Sequence, residues 1–252
     1  MARMRWWGLG GVIAGVVFLL GVPIYQSLVL LPAGFVAPNT ADPASFGAFL
    51  AWAGAHAGAD AGARTVELIP FLLALGLPSS LRRILWAGEP RGGRAATLLA
   101  VAGLVVFAGV LAAGYVLVPR AAAAYDASTA THTASADSYA RVYGFETMLT
   151  RLVADGLIGL SLLFISLRTR ATHRLPVWFA YIGFVVAGLL GATALSALLG
   201  LGLAAAQAQQ FALPGLALWF ISAGVILLRI QVRARTAEPT ASGVAPLPDS
   251  AD

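Results

Sequence analysis

The chain has 252 residues, 59% of them hydrophobic and only 11% charged, with a mean hydropathy of +0.84; a soluble domain carries about twice that charged share, so most of this chain belongs in lipid. The net charge is +5, but the arginines stand in small groups beside apolar runs, where they orient helices, and this excludes a nucleic-acid partner. There is no Cys and no Lys, which removes disulfides, thiolate metal sites and any Schiff base with retinal or another carbonyl compound.

In chain order, apolar stretches long enough to cross about 30 Å of hydrocarbon occupy Trp6–Leu28, Ala61–Ser79, Ala95–Val118, Leu149–Leu167, Leu175–Leu199 and Phe211–Ile230. The first follows a basic start like that of a signal peptide. Its apolar run is too long for one, and Phe35 stands where cleavage after Ala37 needs a small residue, so it reads as a retained span. The second is the weakest, because Arg64, Glu67 and Pro70 lie in or beside its apolar part. Pro70 leaves the Val66 carbonyl without its helical partner and predicts a bend there.

Between the first two spans, Pro32–Asp60 reads as a connection. Its Ser45–Trp52 stretch predicts a short interfacial helix capped by Ser45. Arg120–Ala140, rich in Ala, Ser and Thr, reads as a second connection on the same side. Five tyrosines (Tyr25, Tyr115, Tyr125, Tyr139, Tyr143) fall at that interface. Gly11/Gly15 and Ala187/Gly191 are small residues four apart, which lets helices approach closely and admits a membrane-protein partner or a second copy of the chain.

Arginine placement supports six spans. Arg3, Arg5, Arg82, Arg83, Arg91, Arg94, Arg168, Arg170, Arg174, Arg229, Arg233 and Arg235 fall on one side, leaving Arg64, Arg120, Arg141 and Arg151 toward the other. By the positive-inside rule the crowded side is cytoplasmic. The expectation is an all-α polytopic bundle over residues 1–235 in the cell (inner) membrane, both termini cytoplasmic. A disordered tail is expected over 236–252. The bias toward Ala, Gly and Arg points to GC-rich coding and a bacterial host.

Three ionisable residues lie inside spans, where a charge is costly unless paired or wetted: Glu67, Arg151 and Asp155. Counting 1.5 Å per residue back from the cytoplasmic arginines, Glu67 stands about 22 Å above Arg82, and Asp155 and Arg151 about 20 and 25 Å above Arg168. Arg151 and Asp155 are four apart, hence on one helix face, and Glu67 joins them if the second span packs against the fourth. Such a cluster is either a clamp fixing helix register or a site for a proton or cation. Gln26, Thr147, Thr150, Thr193, Gln209 and Gln210 lie toward the same half.

Catalytic patterns are lacking. The three histidines (His56, His132, His173) fall in loops, and there is no nucleophile elbow, zincin motif or P-loop. His56 and Asp60 at helical spacing are half of a metal site without a third ligand. The sequence names no covalent or metal cofactor.

The stretch Arg168-Thr169-Arg170-Ala171-Thr172-His173-Arg174-Leu175-Pro176-Val177-Trp178, leading into Ile182-Gly183-Phe184-Val185-Val186-Ala187-Gly188, resembles the junction between the fourth and fifth helices of a bacterial family of six-helix membrane proteins, the domain of unknown function 4386 type. That family shows a basic loop, Leu-Pro-Arg-Trp and a Gly-rich span; here Val177 replaces the Arg and Ala180 stands where a Gly is common. The resemblance implies six helices and no catalytic residues. Two functions remain in view: a non-catalytic accessory component of a membrane complex, and a small-molecule or ion permease using the Glu67/Arg151/Asp155 layer.

Overall fold

The computed structural model describes residues 2–40, 42–87, 89–126 and 132–236, with side chains except at 2–3, 90–92 and 231–236. Its regular structure among these residues is helical, and six spans are long and apolar enough to cross a bilayer. We label α1 Met4–Leu30, α2 Ala44–Ala55, α3 Ala57–Ala74, α4 Leu77–Leu85, α5 Pro90–Asp126, α6 His132–Thr172, α7 Val177–Leu198 and α8 Gly202–Thr236. Helices α3 and α4 together make the second span, Ala57–Leu85. The chain is an integral membrane protein with an all-α bundle. The expected tail lies beyond the described residues, save Thr236, which ends α8.

Two boundaries differ from expectation for one reason. The Arg120–Ala140 connection is mostly helix, since α5 continues to Asp126 and α6 begins at His132. Alanine is the strongest helix former, and it dominates this stretch; only 127–131 lies outside the description.

The second span breaks after Ala74 and not at Pro70, which sits inside α3. Gly76 marks the break: the Trp7 ring lies where its Cβ would stand. The Gly76 carbonyl accepts from Ser79 Oγ at 2.9 Å and Ser80 Oγ at 3.0 Å, so the break is a capped turn between two helices.

The spans close a ring in chain order. Helix α1 packs on α3 and α8, and the circuit continues from α3 through α5, α6 and α7 to α8. Helix α4 touches α1, α5, α6 and α8, which places it inside the ring at one end. Leu77, Leu81 and Leu85, four apart on one face, are fully buried there, while Arg83 points out. This segment, which reads from sequence as an interfacial helix anchored by Trp86, is a plug, and Trp86 itself is buried.

Arg5, Arg82, Arg83, Arg94, Arg168, Arg170, Arg174 and Arg229 share this end of the bundle, hereafter the arginine end. Arg174 donates to the carbonyls of Ile84 at 2.9 Å and Ala87 at 3.3 Å, and Arg168 Nε to Leu85 at 3.2 Å. These arginines satisfy the terminal carbonyls of α4.

Apolar helices gain nothing by leaving lipid for one another, so close packing holds the ring. Helices α1 and α8 meet through glycines: a Cβ on Gly8 would lie 3.1 Å from the Gly224 carbonyl oxygen, and one on Gly11 3.1 Å from that of Phe220. The Gly11/Gly15 pair is therefore spent within the chain. Large side chains fill the ring below, including Phe71 stacked on Phe107 and Phe179 on Trp219, with centroids 4.3 and 5.5 Å apart.

At the opposite end, α2 folds over the bundle and forms a second apolar cluster of Leu30, Phe46, Phe49, Leu50, Trp52 and Tyr139. Ser45 does not cap α2: its hydroxyl donates to the Asp42 carbonyl at 2.6 Å and accepts from Asn39 N–H at 2.8 Å. Asp42 Oδ1 instead accepts from the Ala44 amide at 3.1 Å. Tyr139 is buried in this cluster, deeper than an interfacial anchor.

Candidate functional site

Glu67, Arg151 and Asp155 do not form one cluster: they fall into two networks, with α5 between α3 and α6 in the ring. The first joins α6 to α8. Arg151 Nε donates to Gln209 Oε1 at 3.0 Å, and Gln209 Nε2 donates to Asp155 Oδ2 at 3.2 Å. Asp155 is fully buried, and its Oδ1 has no hydrogen-bond partner among the described groups.

Arg151 and Asp155, four apart across a π-helical turn at Leu149–Ala154, do not pair directly. The guanidinium instead points across the ring at α8, and Gln209 becomes the link. Thr150, in the same turn, bonds back to the carbonyls of Glu146 and Thr147, and Thr193 bonds back to Leu189.

The second network centres on Arg64. Its Nε meets Asp60 Oδ2 at 2.9 Å and its Nη2 meets Asp60 Oδ1 at 3.3 Å, a two-point pairing four residues apart on α3. The charged neighbours of Glu67 are Arg64 and Asp60, and those of Arg64 include Glu146 of α6. No described hydrogen bond or ion pair joins Glu67 to Arg151 or Asp155.

Gly114 of α5 makes room for Arg64, since the guanidinium occupies the place a Cβ would take. Glu146 Oε1 is buried without a partner among the described groups. Nearby, Thr65 Oγ1 and Tyr115 Oη lie 2.6 Å apart, and the Tyr25 hydroxyl donates to the Ala59 carbonyl at 3.0 Å. Arg64 is thus paired with Asp60 and has Glu146 and Glu67 as further acidic neighbours.

Asp60, Arg64 and Glu146 escaped the sequence reading, which set Arg64 apart as a charge toward the far side and Asp60 as half of a metal site. The signal was present: acid and base four apart at the start of a span are a helix pair. His56 stacks on Trp52 with centroids 5.5 Å apart, and no group of three or more metal-ligating side chains forms among the described residues.

Elsewhere, a groove of about 690 Å3 runs between α6 and α7 past Gly156, Gly159, Gly188 and Gly191. A Cβ on Gly188 or Gly191 would touch nothing. Among known proteins, no family model, curated protein or solved structure matches this chain.

Proposed function

We propose that this protein is a small permease of the cell membrane, both termini cytoplasmic, that takes up and releases a proton at a carboxylate held within the bilayer. The observation that carries this reading is Asp155, fully buried with one oxygen held by Gln209 and the other without a partner. A clamp would spend both oxygens on the neighbouring guanidinium. Arg151 instead bonds Gln209, leaving a carboxylate able to exist in either protonation state. The Arg64 network, with carboxylates in excess, supports the same chemistry on the approach from the α2 end. Kinship with the six-helix family of unknown function is part of the proposal and carries none of its weight.

The test is proton entry into liposomes holding the purified protein under an imposed pH gradient, followed by an internal pH-sensitive dye. Entry faster than into empty vesicles, lost in Asp155→Asn while detergent unfolding is unchanged, is the expected result. Wild-type vesicles as tight as empty ones overturn the reading.

A second reading, a non-catalytic accessory component, draws on the groove between α6 and α7, whose glycines admit close approach by a transmembrane helix of another protein. Purification from native membrane in mild detergent followed by mass spectrometry tests it. A stoichiometric partner supports the accessory role, and a lone monodisperse protein sinks it.

A further inference from the structure

Three buried polar atoms without partners among the described groups lie near the arginine end, away from both charged networks, and two of them meet. Ser166 and Thr169 lie three residues apart on α6 and Trp219 lies on α8, at 1%, 0% and 2% exposure. Ser166 Oγ, Thr169 Oγ1 and Trp219 Nε1 have no hydrogen-bond partner among the described groups. A hydroxyl on a helix commonly bonds the carbonyl four residues before it, as Thr65, Thr97 and Thr172 do here at 2.8 Å. Ser166 and Thr169 forgo that bond.

Gly183 of α7 brings two of the three together. Ser166 Oγ sits where the Gly183 Cβ would stand, and that position is 3.5 Å from Trp219 Nε1. The indole N–H and the hydroxyl therefore stand beside each other against the Gly183 backbone, with Phe179 stacked on Trp219. One N–H donor and one hydroxyl able to donate or accept supply two of the two to four polar partners that a buried water requires.

We propose that the junction of α6, α7 and α8 binds a water molecule, which accepts from Trp219 Nε1–H and exchanges a hydrogen bond with the hydroxyl of Ser166. The site stands eleven residues from Asp155 along α6, about 16 Å at 1.5 Å per residue. Ile158, Leu162 and Ile165, all buried, intervene. In the permease reading, on which this role rests, the water is the last polar station toward the arginine end and the aliphatic run is the dry segment that a conformational change must open. The binding of water does not depend on that reading.

Radiolytic hydroxyl-radical labelling of the full chain in nanodiscs, read by mass spectrometry, tests the site, because bound water generates radicals beside it even where bulk solvent is excluded. Trp219 is expected to label strongly, and Phe71, equally buried at 1%, to stay unlabelled. The Ser166→Ala variant is expected to lose the Trp219 label. Labelling of Trp219 no greater than that of Phe71, or a label unchanged in the variant, overturns the proposal. Should the variant not fold, the wild-type comparison alone decides. Transport is not read, so failure of the permease reading and failure of the water site are separate results.

Discussion

Two alanine substitutions on α5, six residues apart, should differ in their effect on stability. A Cβ on Gly103 would lie 2.6 Å from Ile158 Cγ1 and 2.9 Å from the Ala154 carbonyl oxygen. Carbon contacts are comfortable only near 3.5 Å, so α5 and α6 must separate by about half an ångström or more beside Asp155. Overpacking of this kind costs about 1–3 kcal/mol, while Gly→Ala in a helix returns about 1 kcal/mol through propensity. Gly103→Ala is thus neutral to about 2 kcal/mol destabilised. On Gly109 a Cβ meets nothing within 4 Å, so Gly109→Ala keeps the whole propensity gain. The variants should differ by about 1–3 kcal/mol, the overpacking alone. Reversible SDS unfolding in mixed micelles, followed by tryptophan fluorescence, measures both. Equal stabilities would refute the close approach of α5 to α6 that positions Asp155.

Gln209→Leu removes both interhelical bonds of the first network and should cost about 1–4 kcal/mol, each such bond in a membrane being worth roughly 0.6–2; the same unfolding assay reads it, and wild-type stability would break the Arg151–Gln209–Asp155 chain. Gly114→Val puts a side chain where the Arg64 guanidinium lies, and stranding Asp60 should cost about 3 kcal/mol or more, with Gly114→Ala intermediate. Arg168 distinguishes two contacts: its Nη2 pairs with Glu89 Oε2 at 2.8 Å, and Glu89 is exposed, so Glu89→Gln should change stability by less than about 1 kcal/mol. Arg168→Met also strips the Leu85 carbonyl of a donor and should be measurably worse, by about 1–2 kcal/mol. Comparable effects of the two would mean that the ion pair and not the helix cap matters.

The sequence misjudged α4 and the stretch 120–140 for different reasons. Helix α4 carries Arg82 and Arg83, which mark an interface, but its Leu77/Leu81/Leu85 stripe finds burial only because four other helices surround it. Around residues 120–140, low hydropathy read as loop although alanine favours helix, since hydropathy reports the medium and not the backbone conformation.

By itself the sequence determined the six spans, because the length of an apolar run that crosses depends on the bilayer alone. The tertiary structure decided who meets whom. Glu67 has Arg64 of its own helix as its basic neighbour, and Arg151 reaches across to Gln209 of α8. Neighbour order and rotation about a helix axis arise from packing of small residues between helices, and neither is written in the hydropathy of any single span.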